Sequence, residues 1–471
     1  MRLVIKFGGV PVKNGESILN DAKLVVSKYK KGDKVVVVTS AMSGVTNQLL
    51  EIAHNLTGPQ SKARQQIPKF MNKISKKHAQ ACKAAIKNTK ILNRTRQTLK
   101  ETGNFLDRAL RGISYLGELS ARSRDLILSF GERLSAPVLA GAIESLGVPT
   151  KYLTGSEAGI ITDDHYTEAR PLFEDTNKLV KLSLTKILAA KKVPVVTGFI
   201  AGTKDGIITT LGRGGSDYTA SILGAALGVN EIWIITDVDG IMTADPKVVP
   251  NAKVIKGISY MEATELAHFG AKVLHPKMIK PAMDHEIPVR VLNAFKPENE
   301  GTLIIRRLNR IEGIVKSITL SKKVSLITIG GAEMIGVPGV ASTVFDIIGQ
   351  AGIKIIMISQ SSSQADISFA VAQKDADTAV RAMHMEFAKR QIRWKINYDR
   401  NVSVIAVVGA GMKGTPGVAA KVFSTMGREG INILAIAQGS SELNISFAVN
   451  ERDAVKAVRA LHDEFLLGIG N

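Results

Sequence analysis

Leu211-Gly212-Arg213-Gly214-Gly215-Ser216-Asp217-Tyr218-Thr219-Ala220 joins a β-type run, Ile207 to Leu211, to an alanine-rich helical run, Ser221 to Gly228. Three glycines surround one arginine, and a Ser-Asp pair follows at the expected first turn of the helix. Free N–H groups at a helix start favour anions, and glycines let backbone approach a ligand closely. Arg213 can grip a carboxylate or phosphate through two parallel hydrogen bonds. Asp217 is out of place beside an anion unless it holds something positive: a metal, an ammonium group or a lysine. The same letters also describe a Gly-rich turn with an Asp helix cap, so the neighbouring segments decide.

Upstream, Leu3-Val4-Ile5-Lys6-Phe7-Gly8-Gly9 reads as a buried strand ending in a Gly turn, and an amphipathic helix follows from about Glu16 to Lys30. Lys34 to Thr39 is a second strand, which runs into Ser40-Ala41-Met42-Ser43-Gly44-Val45-Thr46-Asn47 and another helix. Strand, loop, helix and strand at this spacing predict a parallel sheet with helices on its faces. Ligands of such sheets sit at the carboxyl ends of strands, where Lys6, Ser40 and Arg213 fall. Lys6 before two glycines suits a phosphate, as a point charge beside backbone N–H groups. A lysine capping an edge strand would look the same, and the Walker pattern is absent here.

Further along, Ser129-Phe130-Gly131-Glu132-Arg133-Leu134-Ser135-Ala136 offers Glu132 to a substrate ammonium group, to Arg133 or to a neighbouring helix. Val193 to Phe199 is another buried strand. Ile232 to Ile235 leads into Thr236-Asp237-Val238-Asp239-Gly240-Ile241-Met242-Thr243-Ala244-Asp245-Pro246-Lys247. Three spaced aspartates read first as a metal loop, but the closing glutamate of an EF-hand is missing. Polar groups at a strand end could instead hold a purine and ribose. Phe269-Gly270-Ala271-Lys272-Val273-Leu274-His275-Pro276 adds a lysine in a Gly-Ala setting, with His275 in a structural role.

The chain has 471 residues, which calls for two to four domains. Its 45% hydrophobic and 5% aromatic content suits an α/β protein. A single cysteine, Cys82, excludes an internal disulfide framework and a Cys-based zinc site. The opening strand has no signal-peptide layout and no apolar run approaches membrane-spanning length, so a cytoplasmic protein is expected. The net charge of +20 attracts anions. From Ile52 to Lys100 there is no Asp or Glu. Ile67, Phe70, Ile74, His78 and Ala81 follow helical spacing there. Phe70, the one Phe, Tyr or Trp there, belongs to that apolar spacing, so no row of stacking aromatics interleaves the charges. A solvated helical face is therefore expected, with neither nucleic acid nor membrane as partner.

After about Arg306 the pattern changes. Val324 to Phe387 matches Val402 to Phe465 without a gap. Ile367-Ser368-Phe369-Ala370-Val371 returns as Ile445-Ser446-Phe447-Ala448-Val449, and Gly339-Val340-Ala341 as Gly417-Val418-Ala419. This is a duplicated βαββα module. Neither copy holds a nucleophile and base, so both read as ligand-binding or pairing modules.

With these segments in order, the chain resembles the aspartate kinases of the amino-acid kinase family over nearly its whole length. Lys6-Phe7-Gly8-Gly9, Ser40 to Asn47, Ser129 to Ser135, Gly212 to Ala220, the Thr236-Asp237 loop and Phe269 to Pro276 carry the likeness, and the tail modules resemble tandem ACT domains. The resemblance implies an amino-acid kinase fold, with a mostly parallel central sheet and helices on both faces, plus two C-terminal βαββα-type ACT domains. The expected divisions are a catalytic domain at 1–305, a linker at 306–323, and ACT domains at 324–396 and 397–471. With no sequence after Asn471, no fused homoserine dehydrogenase is expected.

The implied reaction moves the γ-phosphoryl group of ATP, with Mg²⁺, to the β-carboxylate of L-aspartate. By resemblance Lys6 meets the transferring phosphate, and Asp217 orients Lys6 or the substrate ammonium. Arg213 holds a substrate carboxylate, and Ser40, Thr46, Glu132 and Ser216 complete the aspartate pocket. Lys6, Phe7, Gly8, Gly9, Thr236, Asp237, Met242, Lys247, Lys272 and Val273 would hold ATP, with no protein metal site.

Three positions depart from the family pattern. Val10-Pro11-Val12 replaces a usual Thr-Ser-Val, which removes two hydroxyls and one backbone N–H from a phosphate-facing loop. Met242 replaces a tyrosine and Lys247 an arginine. An alternative is therefore an ACT-based amino-acid sensor with a weakened kinase domain. In lysine-sensitive relatives a carboxylate on the strand after the Gly turn meets the effector's ammonium. Ile353-Lys354-Ile355-Ile356-Met357-Ile358 and Ile431-Asn432-Ile433-Leu434-Ala435-Ile436 carry no acid, so threonine is expected over lysine. Exposed sheet edges in such modules pair between chains, which implies a homodimer or homotetramer.

Overall fold

The structure, a computed structural model, describes every residue except 59, 271–274, 297, 308–312 and 469–471, and leaves out the side chains of 60–64. The chain divides into two compact units. One comprises Met1–Gly240 and Val273–Arg306; the other comprises Ile241–Lys272 and Arg307–Asn471.

The first unit opens with β1 (Arg2–Phe7), α1 (Gly15–Lys30), β2 (Lys34–Thr39) and α2 (Val45–Asn55). It continues through α3 (Gln60–Ala85), α4 (Thr89–Leu116), α5 (Ala121–Ser145), β3 (Thr150–Leu153), α6 (Gly155–Ala158) and α7 (Phe173–Ala189). Then come β4 (Val193–Thr197), β5 (Ile200–Gly202), β6 (Ile208–Thr210), α8 (Gly215–Leu227) and β7 (Glu231–Thr236). The strands β3-β4-β2-β1-β7 lie side by side in that order, all parallel. Val35 to Val38 are buried on both faces of the sheet, as an unbroken β-branched run must be when helices cover both sides. Asn14 starts α1 by accepting the Ser17 N–H, and Ile18, Ala22 and Val25 turn one face of that helix into the core.

Two expectations change here. The strand before the Gly-Arg-Gly-Gly loop, β6, lies outside the parallel sheet and pairs antiparallel with β5. One helix, α5, is long and apolar enough to cross a membrane by composition, but 89% of that window is buried inside the protein. It is a core helix, contributing Phe130, Leu134 and Val138 to the cluster under the sheet.

The second unit contains β8 (Gly257–Ser259) and α9 (Tyr260–His268); α10 (Pro276–Asp284), β9 (Val289–Asn293) and β10 (Thr302–Ile305) return to the first. Strand β9 extends the first unit's sheet in parallel beside β7, and β10 adds an antiparallel edge. The remaining elements are β11 (Ser317–Gly330), α11 (Val340–Gln350), β12 (Ile355–Gln360), β13 (Asp366–Ala372) and α12 (Ala376–Lys389), then β14 (Lys395–Val408), α13 (Val418–Arg428), β15 (Ile433–Ala437), β16 (Asn444–Asn450) and α14 (Ala454–Glu464).

Their six strands form one antiparallel sheet in the order β12-β13-β11-β14-β16-β15. Each βαββα copy gains a further strand from the other. The first half of β14 pairs with Leu326–Gly330 of the first copy, and the first half of β11 pairs with Val404–Val408 of the second. The register shifts near Val324, where the long strands pass from one copy to the other. Strand β11 therefore starts at Ser317, inside the segment expected to be a linker.

Candidate active site

Adjacent strand tips are stitched together by backbone. The Gly8 N–H reaches Ile235 O at 3.1 Å, the Ser40 N–H reaches Phe7 O at 3.0 Å, and the Gly198 N–H reaches Thr39 O at 2.9 Å. Lys6, next to last in β1 and only 7% exposed, forms an ion pair with Asp217 in the first turn of α8. The turn after β1 closes through the Val12 N–H to Gly8 O (3.2 Å) and the Lys13 N–H to Val10 O (3.1 Å). Neither bond needs an N–H from position 11, so Pro11 fits without breaking the turn. A Cβ on Gly9 would stand 3.2 Å from Ala41 O, which makes Gly9 the point where this turn touches the next loop.

Helix α5 organises that next loop. Glu132 Oε1 accepts the Ala41 N–H at 3.1 Å, and the Ser135 hydroxyl donates to Ser40 O at 2.6 Å. Gly131 allows the approach: a Cβ there would lie 2.7 Å from Ala41 Cβ and 3.6 Å from Thr46 Oγ1. Ser40, Thr46 and Glu132 are thus gathered around one helix–loop contact. Glu132 is 3% exposed, and burial pushes its carboxyl up to about 8 against one backbone donor from Ala41. Its Oε2 has no hydrogen-bond partner among the described residues. Arg133 does not pair with it; the guanidinium stands 4.8 Å from the centre of the Phe130 ring.

The Gly-Arg-Gly-Gly loop takes left-handed backbone at Gly212 (φ 76°) and Gly214 (φ 73°), which side chains resist. Gly198, just after β4, lets α8 start close by: a Cβ on it would meet Ser216 Cβ at 2.6 Å. Arg213 is exposed and makes no ion pair among the described residues. His275 packs beside Gly214 and caps α10 by accepting the Lys277 N–H at 3.3 Å. Nearby, a Cβ on Gly212 would meet Glu168 Cγ at 3.1 Å, and Glu168 is ion-paired with Lys277 at 3.0 Å.

At the end of β7, the Thr236 hydroxyl donates to Asp237 Oδ1 at 3.2 Å, and Asp237 is exposed. Asp239 is taken up by Lys296 (2.7 Å) and Asn293 (2.5 Å), which hold its carboxyl below the usual range. Asp245 accepts the Lys247 N–H at 2.9 Å. The three aspartates therefore have three separate sets of partners. Among the described residues no three His, Cys, Asp or Glu side chains gather as a metal cage. Met242 and Lys247 belong to the second unit, where Met242 O accepts the Ser317 hydroxyl at 2.9 Å and Lys247 is exposed. Lys272 and Val273 lie outside the described residues.

Residues 1–293 match the amino acid kinase family, and 327–387 and 405–465 each match an ACT domain. This chain belongs to the amino acid kinase family. Within that family it stands among the aspartokinases. It is 32% identical to Aspartokinase 1, chloroplastic, of Arabidopsis thaliana, over 98% of this chain and 80% of that one. It is 34% identical to the bifunctional aspartokinase/homoserine dehydrogenase 1, chloroplastic, of the same plant, over 98% of this chain. The chain spans about half (51%) of that longer relative. The crystal structure of Escherichia coli aspartokinase III in complex with aspartate and ADP superposes with a TM-score of 0.84 at 27% identity, over 99% of this chain and all of that one. The same enzyme in complex with lysine and aspartate gives 0.79 at 28% identity, covering 98% of this chain and 99% of that one.

One residue of this amino acid kinase that sequence motifs do not mark is Asp125. It is fully buried on α5, and its carboxylate accepts the Thr167 and Thr210 N–H groups (both 2.9 Å) and the Thr210 hydroxyl (2.7 Å). It therefore clamps the end of β6, directly before Gly212. Burial raises its carboxyl, while these bonds oppose the shift.

Proposed function

We propose that this chain transfers the γ-phosphoryl group of ATP to the β-carboxylate of L-aspartate, giving 4-phospho-L-aspartate for lysine, threonine and methionine synthesis. The observation that carries this is the Lys6–Asp217 pair at a strand tip, with the Ser40 loop and Glu132 on the adjoining tip. A side-chain carboxylate with a pKa of about 4 is already ionised near neutral pH, so no general base is needed. The reaction requires two anions brought together and charge on the transferring group neutralised.

In this reading Lys6 meets the transferring phosphate and Asp217 aims it. Exposed Arg213 takes a substrate carboxylate. Glu132, with an uncommitted Oε2, takes the ammonium group, helped by Ser40, Thr46 and Ser216. Gly8, Gly9, Thr236 and Asp237, with Met242, Lys247, Lys272 and Val273, belong to the nucleotide. Mg²⁺ would neutralise charge on the nucleotide's phosphates. An ion that keeps its waters and binds through phosphates suits a chain whose aspartates after β7 do not cluster. The closed Gly8–Val12 turn supports turnover over a sensor with a weakened kinase domain.

The ACT pair would take an amino-acid effector, threonine in preference to lysine. Lys354 and Asn432 are exposed where a lysine-binding site would place its carboxylate. The edge strands β12 and β15, which expose Ile358, Leu434 and Ile436, would pair between chains in a homodimer or homotetramer.

The test is ATP-dependent hydroxamate formation with a panel of amino acids, repeated with threonine and lysine added. L-aspartate alone should support turnover, and threonine should inhibit at lower concentration than lysine. Turnover with a different acceptor, or none, would overturn the reading.

A further inference from the structure

The acid-free stretch plays no part in the chemistry above. It folds into α3 and α4, and on α3 Lys69, Lys73 and Lys77 stand four residues apart, so they share one stripe of the helix surface. Lys69 and Lys73 are exposed, while Lys77 is half-buried. The Lys77 ammonium donates to Ser43 O at 2.6 Å. Ser43 belongs to the loop after β2 and stands beside the Gly8-Gly9 turn: a Cβ on Gly9 would lie 3.8 Å from Ser43 Cα and 3.9 Å from its N. Lys77 is therefore where the basic helix reaches the strand-tip site.

None of the three lysines has an ion-pair partner among the described residues. Burial, followed by repulsion from Lys73, lowers the Lys77 pKa. A partly desolvated cation kept without a counter-charge is unfavourable for folding alone. Beside a site that must gather two anions it has a use, because a run of like charge leading to a cleft concentrates oppositely charged reactants there.

We infer that Lys77 is a positioning residue that fixes the Ser43 carbonyl, and that with Lys73 and Lys69 it forms a cationic run drawing anionic substrate to the Gly8-Gly9 turn. The proposed reaction enters only in saying which anions arrive, a phosphate or a carboxylate.

The experiment titrates the whole chain with ADP by calorimetry at low and high ionic strength, and measures kcat/KM for L-aspartate in parallel. The proteins are wild type, Lys77→Gln, Lys77→Arg, the pair Lys69→Gln/Lys73→Gln, and a control pair, Lys30→Gln/Lys31→Gln, at the opposite end of the sheet. Lys69→Gln/Lys73→Gln should weaken anion capture about three- to ten-fold at low salt, and the gap should close once salt screens the charges. Lys77→Gln keeps a donor for Ser43 O but not the charge, so it should be weakened at low salt and approach wild type at high salt. Lys77→Arg should recover, and the control should match wild type.

A weakening of ADP binding alone assigns the run to phosphate; a loss confined to aspartate assigns it to carboxylate. Wild-type behaviour of Lys77→Gln and of the Lys69/Lys73 pair at every ionic strength would overturn the inference, as would deficits that salt does not reduce. If ADP binding responds as expected while aspartate is not phosphorylated, the proposed reaction fails and the cationic run stands.

Discussion

Lys6 and Asp217 form an ion pair that joins a strand tip to the first turn of a helix, with side chains 9% and 15% exposed. A lysine held this way is aimed before any substrate arrives, and preorganised charge is what phosphoryl transfer asks of a protein. Asp217→Asn should lower kcat about 10²–10³-fold. Asp217→Ala should in addition lower folding stability by about 1–3 kcal/mol, because Lys6 is left poorly solvated and unpaired. Steady-state turnover and denaturant melts separate the two effects; wild-type kcat in Asp217→Asn would remove the pair from the chemistry.

Glu132 predicts a pH dependence with a definite sign. Its carboxyl is raised to about 8 in the folded protein, from an ordinary value near 4.5. The folded state therefore holds a proton that the unfolded state has released. That contribution to stability is full below about pH 4.5 and is lost as pH rises through about 8. A substrate ammonium group favours the ionised carboxylate, so KM for aspartate should fall as pH rises from 6.5 towards 8. Glu132→Gln should flatten both trends, as read by KM and melting temperature across pH 6–9. A flat KM profile in the wild type would contradict the assignment.

Arg213 is exposed before substrate binds, so its removal leaves no buried orphan in the free protein. Arg213→Ala should raise KM for aspartate by about 10- to 100-fold, equivalent to the loss of about 1.5–3 kcal/mol of charge-assisted hydrogen bonding. Lys restores charge without the fork, so Arg213→Lys should recover only part. An unchanged KM in Arg213→Ala would move the carboxylate site elsewhere.

Asp125 should act at a distance from the reactants. Its three donors hold the end of β6, from which the Gly212–Gly215 loop departs. Asp125→Ala would strand the buried Thr210 N–H and the half-buried Thr167 N–H and should destabilise the first unit by about 2–4 kcal/mol. Asp125→Asn can turn its amide oxygen to the two N–H groups and donate its NH2 to the Thr210 hydroxyl, which can also accept, so it should recover much of the loss. Melting and KM for aspartate should worsen together; a change in kcat alone would argue for direct chemistry.

Much of this is legible in the sequence. Apolar β-type runs placed Lys6 and Ser40 at strand ends, and the tail repeat was visible as matched letters. What escaped had no local signal. Helix α5 is buried on nearly every side, so it shows no polar stripe, and its hold on the Ser40 loop through Glu132 and Ser135 left no mark in the spacing. Asp125 meets partners 42 and 85 residues away, which no spacing rule reaches. The strand exchange between the tail copies depends on β11 and β14 running on past one copy into the other, a tertiary outcome that similar repeats do not announce.

The two tail copies also differ at one matched position in a way that can be tested. His384 is exposed, whereas its counterpart His462 is fully buried, with Nε2 2.9 Å from the Thr243 hydroxyl. Arg459 on the same helix donates to Val248 O at 2.8 Å, and Ala244, Val248 and Val249 join the core of the second copy. The segment bearing Met242 and Lys247 is thus bolted to that copy. Burial lowers the His462 pKa, opposed by neighbouring Asp463. A histidine held neutral in the fold contributes stability that is present above its ordinary value near 6.5 and is lost as pH falls through its depressed folded value. Acidification from pH 7.5 to 5.5 should therefore loosen residues 241–253 first, seen as faster amide exchange there. His462→Gln should remove most of that pH response and loosen the segment even at pH 7.5, whereas His384→Gln should change neither. Equal exchange in the two variants would mean that the segment is held by the apolar contacts of Val248 and Val249 alone.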